Sequence, residues 1–526
     1  MPSRKTKPSS RPYCPLVLAI LDGYGVSVEK KGNPEGQAKT PVMDCLNKKY
    51  VHAKLSASSR DVGLPLGQPG NSEAGHMNIG AGRVVEQDAV IISKSISNGT
   101  FYKNPAFLQA AKQVEDCQSD VHLMGLLSDG SSPHADNDHL LSLLSFFLSK
   151  TKQKIYLHLF TDGRDSPRFA ALKLLSQYKT IFNNGRVRIS TVMGRFYAMD
   201  RKKAWDRTKL AYNALVLGRG YYVKSGIDAV SQAYNRGESD EFIKPSVVVK
   251  NGQPIGSISE NDALVFFNLR SDRARQLAKV FAQKDFETRN PGSFRRVHLP
   301  KNLLFVTLTD FGPDLDHIIT AYPSIDIADT LPMALHSLRQ LYIAETEKYA
   351  HVTYFFNGGY DHSIAGETRV NIPSKNVDSY DQAPAMSTRE ITRYVIQAIT
   401  KEKYDFVTIN YASPDMVGHS GNMLAAVKAI EILDRSLGEL AKTILSKKGT
   451  LIITADHGNV EEMIDVKTSE VDTEHSLNPV PFILITNQKK YKLKNKGRLA
   501  SIAPTILDIL KISKPKLMTG QSLIKK

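Results

Sequence analysis

Six potential metal ligands flank the apolar runs of this chain. The stretch 450–459 reads TLIITADHGN, so an apolar run ends in Asp456 and His457. Leu16–Leu21 (LVLAIL) ends in Asp22 and Gly23, and 407–410 leads through Tyr-Ala-Ser-Pro to Asp415 and, four residues on, His419. His475, in Asp-Thr-Glu-His-Ser, precedes the apolar run 480–485. A lone Asp-His pair also fits a strand-end turn. Recurrence in distant segments favours convergence on one edge of a parallel sheet, where open α/β folds bind ligands. Six donors exceed one four-coordinate ion and suit two adjacent ions. Such a pair clamps the attacking and leaving oxygens of an in-line phosphoryl displacement. Mixed Asp/His ligation fits Mn²⁺ or Zn²⁺ better than Ca²⁺.

A nucleophile candidate lies in the glycine-rich stretch 63–83, GLPLGQPGNSEAGHMNIGAGR. Ser72 stands at the expected start of a helix, where unpaired N–H groups favour the phosphate it would carry. The same position suits a helix cap. A second set of strand-like runs ends in arginines and acids. Val121–Leu127 leads to Ser-Asp129-Gly, and 155–160 leads to Thr-Asp-Gly-Arg164-Asp165. The run 189–193 leads to Gly-Arg195, and 264–268 leads to Leu-Arg270-Ser-Asp-Arg273. Arginines at strand ends suit an anionic substrate. An i, i+3 pair such as Arg270 and Arg273 is otherwise an ordinary helix face, and Arg195 and Arg201 could pair with Asp200 and Asp206 in one loop. His76, His139 and Trp205 read as structural.

The elements that must place these residues alternate, strand-like run by helix-like segment, which predicts α/β architecture. Metal-type strand ends occur at the start of the chain and again after about residue 400. Arginine-type ends lie between. The economical arrangement is one domain inserted into another: a metal-binding domain of residues 1–86 and 313–526, and an inserted substrate domain of residues 87–312, with crossovers near 86–89 and 309–313 and substrate in a cleft between the domains. With 526 residues, 41% hydrophobic and 23% charged, the chain has the composition of an ordinary soluble protein. No run reaches membrane-span length, and the interrupted apolar stretch 140–148 reads as a buried helix. Three unpaired cysteines, Cys14, Cys45 and Cys117, argue against a disulfide framework and fit a reducing compartment. The net charge of +16 is partly concentrated at Arg4, Lys5, Lys7 and Arg11 and in 489–498. It comes without a nucleic-acid motif, so no nucleic-acid partner is expected. The basic start lacks the apolar core of a secretory signal, so a cytoplasmic protein without membrane partners is expected.

Read together, the motifs resemble the cofactor-independent phosphoglycerate mutases of the alkaline phosphatase superfamily. They are LDGYG (21–25), GNSEAGHMNIGAGR (70–83), LMGLLSDG (123–130), TDGRDSP (161–167), GRFYAMDR (194–201), FFNLRSDRA (266–274), AETEKYAHVTYFFNGG (344–359), NYASPDMVGH (410–419), TADHGN (454–459) and HSLNPVPF (475–482). The resemblance spans about residue 15 to the end, with 502–524 similar to the superfamily's closing helix and strand. It implies an alkaline-phosphatase-like metal domain carrying an inserted second α/β domain. It also implies interconversion of 3-phosphoglycerate and 2-phosphoglycerate, in glycolysis and gluconeogenesis, through a phosphoserine and without 2,3-bisphosphoglycerate. Ser72 would be the nucleophile. One ion would be held by Asp415, His419 and His475, and the other by Asp22, Asp456 and His457 with Ser72. The pair is expected to be Mn²⁺, with Mg²⁺, Co²⁺ or Zn²⁺ as alternatives. Lys348 would stabilise the serine alkoxide and its phosphate. Arg270 and Arg273 would grip the substrate phosphate. Arg164, Asp165, Arg195, Arg201 and His134 would bind glycerate, with Asp165 also the proton-transferring base. Relatives are usually monomers, so a monomer is expected.

Two departures from the family pattern stand out. The loop 130–136, Gly-Ser-Ser-Pro-His-Ala-Asp, is one residue longer than usual around His134, and Asp472 stands where relatives carry a first histidine before His475. A metal-dependent phosphatase, a phosphopentomutase or a sulfatase shares the metal domain. The block with GRDSP and GRFYAMDR favours the mutase, and no sulfatase motif with a modifiable Cys or Ser is present.

Overall fold

The computed structural model describes residues 13–130, 132–182, 185–465, 468–488 and 491–525. Arg4, Lys5, Lys7, Arg11, Ser131, Lys489 and Lys490, which figure in the sequence reading, lie outside them. The chain divides into two compact units, Met1–Gln87 with Ile325–Lys526, and Asp88–Ser324.

The first unit is built on an eight-stranded sheet of its described residues. Its strand order is Thr368–Ile372, Gln340–Glu345, Phe406–Tyr411, Leu16–Leu21, Thr450–Thr454, Val480–Thr486, Val51–Ser56, Lys496–Arg498. The first five strands are mutually parallel. Leu16–Leu21, Phe406–Tyr411 and Thr450–Thr454 are buried at every position, as expected of strands covered on both faces. Val480–Thr486 runs antiparallel to Thr450–Thr454. Val51–Ser56 runs antiparallel to Val480–Thr486 and so parallel to the central five.

Direction decides what reaches the edge. Residues that follow Leu16–Leu21, Gln340–Glu345, Phe406–Tyr411, Thr450–Thr454 and Val51–Ser56 all emerge at the carboxyl edge. Those that precede the reversed strand Val480–Thr486 emerge there too. This brings Asp22, Lys348, Asp415, Asp456, Ser72 and His475 to one edge from six chain segments. The long helix Met423–Ser446 turns Leu433, Leu437, Leu440 and Ile444 into the same core as the central strands.

The second unit has a nine-stranded sheet of its described residues, running Ile318–Tyr322, Leu304–Thr309, Ala263–Phe266, Val121–Leu127, Ile155–Thr161, Val187–Gly194, Ser246–Lys250, Tyr221–Val223, with Gln253–Pro254 paired to Ser246–Lys250. The first six strands are parallel. Hydrophobic clusters of its own cover both faces. The apolar stretch 140–148 lies in the helix Asn137–Lys150, with Leu140, Leu143, Leu144, Phe146 and Phe147 buried.

The second crossover corrects the expected boundary at 312/313. Ile318–Tyr322 hydrogen-bonds in parallel register with Leu304–Thr309, so the chain leaves this sheet only after Ser324. The closing segment forms the helix Ile502–Leu510, but its expected strand is reduced to a bridge between Leu493 and Ile524.

Candidate functional site

Ser72 opens the helix Ser72–Ala81, but Asn71 caps it: Asn71 Oδ1 accepts from the Ala74 amide at 2.9 Å. The cap reading of Ser72 therefore gives way. Its hydroxyl is released from backbone duty and lies 3.1 Å from Asp22 Oδ1, 3.0 Å from His457 Nε2 and 2.8 Å from Lys348 Nζ. The helix reaches this depth because Gly75 passes against the turn that carries Asp456. A Cβ there would lie 2.6 Å from the Asp456 carbonyl oxygen.

Lys348 follows Gln340–Glu345 in a short 3₁₀ turn and is 4% exposed. Its ammonium donates to Asp22 Oδ1 and Asp415 Oδ2, both at 2.6 Å. Burial alone would raise the pKa of each carboxyl. The lysine charge, with His457 beside Asp22 and with His419 and His475 beside Asp415, outweighs it and holds both well below the ordinary range. The same attraction outweighs the desolvation of Lys348 and drives its pKa up. For His457, burial acts downward, but the Asp456 charge and the Asp22 hydrogen bond prevail and push it up to about 9.

Among the described residues, three groups of donor atoms could hold cations: Asp415, His419 and His475; Asp22, Asp415 and His457; and Asp22, His76 and Asp456, the atoms of each group lying within 4.8 Å of one another. The donor set is mixed carboxylate oxygen and imidazole nitrogen, and Asp456 Oδ2 is buried without a hydrogen bond. These residues fit divalent metal ions. The first trio is the expected one. The expected Asp22–Asp456–His457 set is connected through 3.5 Å approaches of His457 Nε2 to both carboxylates. Asp472 belongs to none of these groups. Its Oδ1 instead accepts from the Glu474 amide at 2.9 Å, shaping the turn before His475.

Partners of the ligands escaped the sequence reading. Asn410 Nδ2 donates to Asp22 Oδ2 at 2.6 Å, and Asn459 Nδ2 donates to Asp415 Oδ1 at 2.8 Å. His76, read as structural, places Nδ1 3.2 Å from Asp456 Oδ2 and Nε2 3.1 Å from Asn410 Nδ2. All three lie inside the motifs that carry the ligands, which was the available signal.

In the second unit, the carboxyl edge gathers the arginines. Arg195 is 2% exposed and donates through Nη1 to Asp162 Oδ1 and Asp165 Oδ2, both at 2.6 Å. Its Nε and Nη2 are buried without a partner. Asp162 was overlooked. It also accepts from Ser128 Oγ at 2.9 Å and from the amides of Arg164 and Asp165 at 3.2 and 3.1 Å, fixing the turn between them. Asp165 also accepts from Ser132 Oγ at 2.8 Å. Burial would raise its pKa, but the Arg195 bond and charge outweigh this and leave it below its ordinary value.

Neither Arg195 nor Arg201 pairs as the local-loop alternative supposed. Arg201 Nη1 donates to Asp272 Oδ2 at 2.9 Å, and Asp200 faces Arg207. Arg270 Nε is 3.7 Å from Asp272 Oδ1, and Arg164 Nη1 is 3.4 Å from Glu241 Oε1. Arg273 is pushed down by burial and then by repulsion from Arg201, Arg195 and Arg164. Guanidinium groups that repel one another at one sheet edge would be relieved by an added anion. His134 is buried, with Nδ1 4.0 Å from Asp272 Oδ1. Burial and Arg195 push its pKa down to about 4, so it is neutral near pH 7. His139 lies in the helix Asn137–Lys150 facing Ser93, and Trp205 packs on Phe286, both as expected.

A family model described as the metalloenzyme superfamily matches residues 14–514. A 2,3-bisphosphoglycerate-independent phosphoglycerate mutase of Clostridioides difficile is 45% identical over 516 residues, 97% of this chain and 99% of its own. One from Methanococcoides burtonii is 47% identical over 520 residues, 97% of this chain and 98% of its own. Among solved structures, Leishmania mexicana phosphoglycerate mutase is similar with a TM-score of 0.76 at 28% identity, covering 98% of each chain. With so much of its length matched, and an edge that joins a serine, a lysine and a mixed Asp/His ligand set, the chain belongs to the 2,3-bisphosphoglycerate-independent phosphoglycerate mutase family of the metalloenzyme superfamily.

Proposed function

We propose that this isomerase interconverts 3-phosphoglycerate and 2-phosphoglycerate by two successive phosphoryl transfers through Ser72. The observation that carries the mechanism is the Ser72 hydroxyl itself. Released from capping by Asn71, it is held within 3.1 Å of Asp22, His457 and Lys348. Asp415, His419 and His475 would hold one cation, and Asp22, Asp456 and His457 with Ser72 the other, Mn²⁺ being the first choice. When bound, such ions would neutralise charge on the attacking and leaving oxygens.

The chain's own residues perform the rest. Lys348 keeps its proton and lowers the energy of the Ser72 alkoxide that attacks phosphorus. The bond from phosphorus to the substrate oxygen breaks as the serine bond forms, and the alkoxide left behind takes the proton of the neighbouring glycerate hydroxyl by way of Asp165. That neighbouring oxygen, now deprotonated, attacks the phosphoserine and returns Ser72 to its alkoxide. Arg270 and Arg273 suit the phosphate. Arg164, Arg195, Arg201 and His134 suit the carboxylate and hydroxyls of glycerate. The two unpartnered N–H directions of Arg195 support its place in this set. Asp165 is the proposed proton carrier between the two glycerate oxygens. Its pairing with Arg195 keeps it a weak base until Arg195 engages the substrate carboxylate.

Metal domain and substrate domain are the proposed roles of the first and second units. The monomer is the proposed working unit, as the family resemblance implies. The reaction serves glycolysis and gluconeogenesis, in the proposed setting of the cytoplasm. No helix among the described residues is long and apolar enough to cross a membrane.

The test is conversion of 3-phosphoglycerate with 2,3-bisphosphoglycerate absent, before and after EDTA and again with Mn²⁺ restored. Activity lost to EDTA and recovered with Mn²⁺ is the expected result. Release of free phosphate would mean a phosphatase that fails to retain glycerate. No turnover with any divalent ion would overturn the proposal.

A further inference from the structure

Glu461 carries a buried carboxylate that no step above uses. It is 2% exposed, and among the described residues no Lys, Arg or His forms an ion pair with it. A buried carboxylate without a cation is costly unless hydrogen bonds replace its lost water. Here they do, and their origin is informative. Oε2 accepts from the Gly25 amide at 2.9 Å and from the Asn459 amide at 2.9 Å. Oε1 accepts from Asn478 Nδ2 at 3.0 Å and, more closely, from Ser476 Oγ.

The four donors come from three different ligand-bearing segments. Gly25 closes the turn that begins at Asp22. Asn459 ends the turn of Asp456 and His457. Ser476 adjoins His475, and Asn478 follows in the same segment. Two glycines leave the space this carboxylate fills. A Cβ at residue 25 would lie 2.2 Å from the Glu461 carboxyl carbon, and one at residue 458 would lie 2.5 Å from Oε1.

We infer that Glu461 is a positioning residue that locks the Asp22, Asp456–His457 and His475 segments in mutual register and thereby sets the affinity of the centre for divalent cations. It touches neither substrate nor reacting atoms. The inference rests on the metal-centre reading above. A carboxylate suits the task because it offers acceptors in two directions and no donor. A glutamine of the same shape would turn an amide N–H toward donors on one side and break that side's contacts.

The test is calorimetric titration of Mn²⁺ into metal-stripped wild type, Glu461→Gln and Ser476→Ala, with circular dichroism checking that each is folded at the titration temperature. The expected result for Glu461→Gln is a Kd about 10- to 100-fold higher, the scale on which residues orienting ligands act, with a smaller rise for Ser476→Ala. A role confined to packing would lower the melting temperature of the stripped variants and leave their Kd at the wild-type value, and that result overturns the inference. If Glu461→Gln does not fold, Ser476→Ala decides, since it removes a single donor; an unchanged Kd there overturns the inference. If wild type itself takes up no Mn²⁺, the metal-centre reading falls and the inference with it. If wild type binds and the folded variants match it, only the inference falls.

Discussion

At the scale of single residues, the decisive arrangement is a division of labour between neighbours in the chain. Asn71 supplies the helix cap and Ser72 keeps its hydroxyl. Ser72→Ala should therefore abolish phosphoryl transfer while leaving the fold and Mn²⁺ uptake nearly intact. Steady-state assay beside metal titration checks this, and appreciable residual mutase activity would refute the nucleophile. The sequence already placed Ser72 at a helix start, but it could not tell cap from nucleophile. That choice depends on which of two adjacent polar side chains turns toward the Ala74 amide. Lys348 had no signal of its own beyond the resemblance, since its burial comes from the sheet order around Gln340–Glu345. His76 read as structural because its partners, Asp456 and Asn410, are 380 and 334 positions away in the chain.

At the scale of elements, apolar runs with chemical endings were legible because a strand buried on both faces is continuously hydrophobic, so the first polar residue after it stands out. Leu16–Leu21 with Asp22 and Thr450–Thr454 with Asp456 show this directly. Strand direction was not legible, and it matters for His475, whose place depends on Val480–Thr486 running against its neighbours. Strand ends also carry a pH signature. Glu345 ends Gln340–Glu345, accepts from Ser374 Oγ at 3.0 Å and from the Ser387 amide at 3.3 Å, and burial raises its pKa from 4.5 to about 7. The folded state thus holds a proton that the unfolded chain has released between those values. Folding stability should fall as pH rises through that window, by up to about 3 kcal/mol from this group. Glu345→Gln, which cannot ionise, should flatten that slope in urea unfolding measured at several pH values. An unchanged slope would show that Glu345 ionises without cost.

At the scale of the whole molecule, the two kinds of strand end fall in the two compact units, but the second crossover left no mark in the sequence. Ile318–Tyr322 (IITAY) carries no charged ending to mark it as the last strand of its sheet. The second unit owns complete hydrophobic clusters and a sheet whose strands all fall within it. Residues 88–324 expressed alone should therefore unfold cooperatively and lack mutase activity. A non-cooperative transition by circular dichroism would contradict that autonomy. Its own ends are tied together, Ser95 Oγ lying 2.6 Å from the Tyr322 hydroxyl and Asn104 Nδ2 donating to the Ala321 carbonyl at 2.8 Å. In the first unit, Arg83 Nη2 donates to the Ala328 carbonyl at 2.9 Å, so the chain departs and returns at nearly one place. Such a junction is a graft point. A short bridge there would leave the outer sheet whole, with its serine, lysine and ligand edge untouched, so the chain is wired as two modules that share only a pair of adjacent seams.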